Sequence, residues 1–280
     1  MNVARRNCVK DRMAESRTSM RNFKLLLGIG ISALLLSASP GIADVTTSIK
    51  NKTAEITIKV DDSLKAYPKL LENLAAEGKV WATKADAEAE MELKELPKRN
   101  ASTSPWTYER SYNLRSAIGP YISVLRQDYT NTGGAHPNRY TDTILWDRDA
   151  GKRISVRPFF NETEDGGPTM TALAKLVRAA LVQEKKRRGA PVASDPAKDD
   201  WLRSVKPWLL KLGPISLAPS TERDKSSGLS FHFSPYMVGP YVEGDYVVFI
   251  PWTDLKPYLS AQSTALFGGT RPVSDKDQQP

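Results

Sequence analysis

The chain has 280 residues, 40 of them Lys or Arg and 32 Asp or Glu, with two histidines and one cysteine. That length holds one large domain or two small ones with a real hydrophobic core. The single cysteine excludes a disulfide framework and a cysteine-rich zinc site.

The positive charge is concentrated at the start. Residues 1–24 carry Arg5, Arg6, Lys10, Arg12, Arg17, Arg21 and Lys24 against Asp11 and Glu15. The apolar run from Leu25 to Leu36 follows, then Ser37-Ala38-Ser39-Pro40-Gly41-Ile42-Ala43. A basic region, a short apolar core and small residues at 41 and 43 predict a secretory signal over 1–43, cut after Ala43. The core is short of the roughly 20 residues a membrane-spanning helix needs, so no permanent span is expected after cleavage. Met20 would open a more ordinary signal than Met1. Cys8 leaves with this segment, and no cysteine follows the apolar core for lipid attachment. The expected location is the periplasm or the outside of the cell. Seven basic and two acidic residues lie in 1–43, leaving 33 and 30, a net of +3. A nucleic-acid partner thereby loses its main electrostatic support.

Ala54-Glu55-Ile56-Thr57-Ile58-Lys59-Val60 alternates apolar and polar residues and predicts a strand. Ser63 to Glu77, interrupted by Pro68, and Lys84 to Leu96 predict two helices. Trp106 to Arg115, Tyr121 to Tyr129 and Arg139 to Trp146 are rich in aromatic and β-branched residues and predict strands. Asp147-Arg148-Asp149-Ala150-Gly151-Lys152 imitates the start of a calcium loop. Lys152 stands where glycine is required and Pro158 where a bidentate Glu is required, so a hairpin into Arg153–Val156 is expected instead.

Thr169 to Arg188 has Met170, Leu173, Leu176, Val177, Ala180 and Leu181 on one stripe, which predicts a helix packed on a sheet. Its last residues, Lys185 to Arg188, read as a solvated helix end that complements the dipole. Asp199 to Lys211 predicts a short helix bent at Pro207. Leu229–Phe233 and Tyr246–Ile250 predict buried strands, and Thr253 to Leu259 a final helix with Thr253 as its cap. From residue 260 the polar, Gly- and Pro-containing composition predicts a disordered tail. The fold class is α+β, an antiparallel sheet with helices packed on one face.

Two segments carry the candidate chemistry. Tyr129-Thr130-Asn131-Thr132-Gly133-Gly134-Ala135-His136-Pro137-Asn138 is a tight loop around one of the two histidines. His136 there is either a functional group exposed on a loop or an imidazole bonded to a turn backbone. Phe231 to Tyr246 is dense in aromatics, and Tyr236 and Tyr241 form either a wall for a ligand or a core crossing. His232 alternates with Phe231 and Phe233, so it faces away from both, at the surface or in a second layer. No nucleophile elbow, zinc-protease helix or P-loop occurs. No metal site and no cofactor is expected.

The Tyr-Thr-x-x-Gly-Gly-Ala-His run resembles the signature of a family of exported bacterial domains. These occur in RsiV-like anti-sigma proteins and beside the catalytic domain of PdaC-like peptidoglycan deacetylases. Phe231–Tyr236, Gly239–Gly244 and Ile250–Leu255 look like the closing segment of the RsiV-like domain. Residues 54–135 are similar, more loosely, to the PdaC-like N-terminal domain. The resemblance implies two intimately packed subdomains, 54–135 and 136–259, with the tail 260–280 beyond. No deacetylase catalytic domain is expected within these residues, because two histidines are too few for its metal motif. The resulting expectation is a binding module for peptidoglycan or a lysozyme-like protein, with Tyr129, His136, Asn138, Tyr236 and Tyr241 as contacts. The alternative is a cell-wall hydrolase with His136 as general base and Asp245 or Glu243 as its partner.

Overall fold

The computed structural model describes residues 47–95, 104–195 and 198–276. The expected signal segment 1–43, with both candidate starts, lies outside the described residues. Strands β1 (Thr47–Lys50), β2 (Ala54–Val60), β3 (Trp106–Ile118), β4 (Tyr121–Asn131), β5 (Asn138–Asp147) and β6 (Lys152–Ile154) form one sheet in chain order. A second sheet holds β7 (Ile215–Ala218), β8 (Gly228–Phe233) and β9 (Tyr246–Pro251). With helices α1 (Pro68–Glu95) and α2 (Pro168–Arg187), the class is α+β, as the pattern predicts. The large sheet is mixed rather than purely antiparallel. β2 and β3 run parallel from Ala54↔Trp106 to Val60↔Tyr112, and α1 is the crossover between them.

Helix α1 is continuous where the sequence suggests two helices. Pro68 stands at its first position, where the missing N–H costs nothing. Gly78 lies in its middle, where a Cβ would sit 3.0 Å from the Ile58 Cδ1, so the glycine permits close approach to β2. The buried face carries Leu70, Leu74, Ala82, Ala85 and Ala89 against Ile56, Ile58, Tyr108 and Tyr112. Under the same helix Glu77 accepts hydrogen bonds from Arg126 and Arg153. Burial pushes its carboxyl up, but the Arg153 and Arg126 contacts outweigh this and hold it below the usual range.

The second core gathers Met170, Leu173, Val177 and Leu181 of α2 with Leu229, Phe231, Tyr246 and Val248 of the small sheet. The predicted apolar stripe thus packs on a sheet. Lys185 does not belong to a solvated helix end. It is 1% exposed, its ammonium lies 5.0 Å from the Tyr246 ring centroid, and it donates to Glu243 at 2.6 Å. The two sheets are joined through side chains. Ser116 Oγ donates to the Leu217 carbonyl at 2.8 Å, the Leu217 N–H donates to Ser123 Oγ at 3.1 Å, and the Thr141 N–H donates to Ser234 Oγ at 2.7 Å.

Several expectations need correction. The boundary at 135/136 falls in the β4–β5 connection of one sheet, and Ile144 and Trp146 of β5 belong to the first core, so it separates no structural units. Asp199–Lys211 forms only two 3-10 turns, Leu202–Ser204 and Leu209–Lys211, around Pro207. The short helix α3 (Trp252–Leu255) starts after Pro251, without a Thr253 cap. Residues 260–276 are not disordered. They contain α4 (Ala261–Thr264) and α5 (Val273–Lys276), bury Phe267, and place Asp275 between Arg115 and Arg271. The Asp147 hairpin holds: the Asp147 carboxylate accepts from the N–H groups of Asp149 and Ala150, and β6 pairs with β5.

Candidate functional site

The face of β3–β5 turned away from α1 is polar, because the strand alternation puts Trp106, Tyr108 and Tyr112 under the helix and Thr107, Glu109 and Ser111 on the other side. Here a cleft of about 490 Å³ opens, floored by Glu109, Gln127, Tyr129, Arg139 and Thr141 and closed on one side by Asp245. Glu109, Tyr129 and Arg139 are direct cross-strand neighbours on three adjacent strands. The Arg139 guanidinium lies 5.9 Å from the Tyr129 ring centroid.

The loop 132–137 leads from the Tyr129 strand to the Arg139 strand and brings His136 onto the segment that ends at Asp245. The His136 ring stacks on Tyr241, with centroids 3.8 Å apart and planes 17° from parallel. His136 Nδ1 lies 3.1 Å from the Pro137 carbonyl and Nε2 3.0 Å from the Tyr236 hydroxyl. A carbonyl only accepts, so Nδ1 carries a proton and donates to Pro137, and Nε2 shares a hydrogen bond with the Tyr236 hydroxyl. Tyr236 has φ of 70°, a left-handed conformation costing a tyrosine roughly 1–3 kcal/mol. Its N–H donates to the Gly239 carbonyl at 3.0 Å, which closes the turn.

Three of the five expected contacts, His136, Tyr236 and Tyr241, therefore meet in one latch. Tyr129 lies in the cleft beside it. Asn138 opens β5 with its side chain exposed and lines neither. The expected pairing of His136 with Glu243 or Asp245 is not formed. Both ring nitrogens are engaged elsewhere, and Glu243 accepts from Lys185 and from the Tyr246 hydroxyl, each at 2.6 Å. Asp245 has a carboxyl pushed above its ordinary range by burial, against the nearby charges of Arg139 and Arg188. Its Oδ1 is buried with no hydrogen-bond partner among the described residues.

His232 is in the second layer: it is buried and its Nε2 lies 2.9 Å from Ser216 Oγ. Burial, followed by the charges of Arg115 and Arg271, lowers its pKa to about 3. Among the described residues no group of three or more His, Cys, Asp or Glu side chains has a metal-holding arrangement. No described helix is long and apolar enough to cross a membrane.

Arg139, Glu109 and Thr141 escape a motif search. The signal that marks them is the polar half of each strand's alternation, which defines a second face neither apolar nor covered by α1.

Fold and site together define an α+β protein with a polar, ligand-sized cleft beside an imidazole–tyrosine latch. Residues 163–253, from the approach to α2 through β9 into α3, match a family model described as a protein of unknown function (DUF3298). No curated protein matches the chain. Similar solved structures include a member of the DUF3298 family from Bacteroides fragilis, 16% identical over 77% of this chain and 92% of that one, with a TM-score of 0.47. Another is a DUF3298 family protein from Pseudomonas aeruginosa PAO1, 15% identical over 80% of this chain and 94% of that one, with a TM-score of 0.49.

Proposed function

We propose that the protein is an exported binding module for the cell envelope, acting in the periplasm or outside the cell, with peptidoglycan as its ligand. The observation that carries this reading is the polar cleft on the sheet face away from α1. Its volume, about 490 Å³, falls within the size range of ligand clefts. Its walls mix both signs of charge with amide, hydroxyl and aromatic groups, which suits a polar oligomer carrying sugars and amino acids. The His136–Tyr236–Tyr241 latch holds the two bordering loops in place before binding, which lowers the ordering cost of association. The resemblance to RsiV-like and PdaC-like domains supports the envelope as the setting.

Co-sedimentation of the purified protein with peptidoglycan sacculi tests the reading. The protein is expected in the pellet, and Tyr129→Ala and Arg139→Gln are expected to reduce the pelleted fraction severalfold while remaining folded. Equal pelleting of both variants would remove the cleft as the site. A protein that stays in the supernatant but co-elutes with lysozyme would transfer the reading to a lysozyme-like partner.

A further inference from the structure

We infer that the cleft recognises a zwitterionic peptide end, taking an ammonium group at Asp245 and a carboxylate at Arg139. The charge balance of the cleft leads there. Lys59 is neutralised by Glu109 at 2.8 Å. Arg110 is neutralised by Asp128 through two bonds of 2.6 Å. Two opposite charges remain, Arg139 and Asp245: both line the cleft and attract each other at a distance, as Arg188 also attracts Asp245, but neither makes an ion pair within 4 Å among the described residues. The Arg139 guanidinium sits 5.9 Å from the Tyr129 ring centroid and makes no hydrogen bond or close ion pair among the described residues, which leaves its planar edge for a carboxylate.

Asp245 is held in place by its backbone rather than by its charge. Arg188 donates to the Asp245 carbonyl at 2.7 Å and not to the carboxylate. The neighbouring acid Glu243 shows the contrast, with two donors on one oxygen. A carboxylate with a buried, donorless Oδ1 carries a standing desolvation cost, which Arg188, with its own Nη2 unpartnered, does not relieve, and a cation at the cleft-facing side of the carboxylate offsets part of the cost of its charge. A fixed negative group and a fixed positive group in one cleft select a ligand with both charges and reject a neutral glycan. In peptidoglycan that chemistry belongs to the stem peptide, whose diamino acid supplies the ammonium and whose end supplies the carboxylate. This assignment of source rests on the envelope reading above; the charge recognition does not.

The test is calorimetric titration of the purified protein with an N-acetylated stem tetrapeptide, acetyl-Ala-γ-D-Glu-Lys-D-Ala, whose only ammonium is the lysine side chain. The tetrapeptide is expected to bind, and acetylating that amine or amidating the carboxylates is expected to weaken binding at least tenfold. In Asp245→Asn the acetylated and free-amine forms should bind alike, and in Arg139→Gln the amidated and free-acid forms should bind alike. A merely structural role for either residue would not produce this loss of discrimination. Binding of chitotetraose in place of the tetrapeptide, or indifference to both modifications, would overturn the inference. Free lysine competing as well as the tetrapeptide would keep the recognition and place its source in free amino acids. Sacculi that pellet the protein while the tetrapeptide fails to bind would leave the envelope reading standing and remove this one. Tetrapeptide binding without pelleting would do the reverse.

Discussion

Asp245 links stability to function at the level of one side chain. Its pKa in the folded chain is raised, so the folded form holds the proton more tightly than the unfolded form does. The ionised carboxylate therefore opposes folding, increasingly as pH rises out of the ordinary carboxylate range and fully above the raised value. Asp245→Asn, which removes the buried charge that opposes folding, is expected to stabilise the protein at pH 7 while weakening ligand binding. Thermal melting at pH 7 checks this, and a fall in Tm would make Asp245 a structural residue. His232 acts with the opposite sign. Its folded pKa of about 3 lies below the ordinary 6.5, so its stabilising effect is complete above 6.5 and is lost as pH falls from there towards 3. By pH 5 the loss is roughly 2 kcal/mol. Comparison of urea midpoints at pH 7 and pH 5 should show His232→Gln with a much flatter dependence than the unmodified protein; an unchanged slope would acquit the histidine. Of the site, the sequence makes His136, Tyr236 and Tyr241 visible one by one, because glycine and proline bracket them. Their meeting is non-local, across one hundred residues in the case of His136 and Tyr236, and no spacing encodes it.

Helices and strands are more legible than their arrangement. β2 follows the alternation from Ala54 to Val60, and α2 follows its apolar stripe. The failures have local causes. Gly78 weakens helix propensity by about 1 kcal/mol relative to alanine, which suggests a break, yet packing on Ile58 keeps α1 whole. The parallel pairing of β2 with β3 depends on where α1 docks, a property of the sheet and not of either strand. β7 has four residues, all buried, too few to show a period. In the small sheet the glycine that matters is Gly228, opposite Pro251, with φ of 151°. A Cβ there would lie 2.1 Å from the Ile250 carbonyl oxygen and 2.9 Å from the Phe249 ring. Neither the ladder backbone nor the ring can retreat without breaking β8–β9 pairing. Gly228→Ala is expected to destabilise by about 3 kcal/mol or more, the upper range for overpacking in a tight core. A denaturation midpoint within error of the unmodified protein would mean that β8 shifts register freely.

At the scale of the whole described region, two cores share one compact unit, and the last described residues connect the two sheets. Phe267 packs edge-on against Phe159 in the small-sheet core, with ring centroids 6.2 Å apart. The Trp252 Nε1–H donates to the Gly269 carbonyl at 3.0 Å, and the Thr221 N–H donates to the Thr270 carbonyl at 2.8 Å. Asp275 then reaches Arg115 of the large sheet at 2.5 Å and Arg271 at 2.5 Å, in a site where all three side chains are buried. Composition misleads here because a polar segment can be ordered by a few buried charges as well as by an apolar stripe. Burial pushes the Asp275 carboxyl up, but its bonds to Arg115 and Arg271 prevail and keep it below the usual range. Its stabilising effect is therefore present at neutral pH and lost as pH falls below the ordinary carboxylate range, the same direction as His232, which faces Arg115 and Arg271 from β8. Asp275→Ala leaves two buried guanidinium groups uncompensated and is expected to cost about 3–5 kcal/mol. Truncation after Thr270 removes Arg271 as well as Asp275, leaving Arg115 alone, and should cost less than the point variant if the charge imbalance, rather than the helix α5 itself, dominates. Urea unfolding followed by tryptophan fluorescence compares the two directly. A truncated chain as unstable as Asp275→Ala would assign the effect to lost packing, and two variants as stable as the full chain would mean that residues 271–276 dock without holding the sheets together.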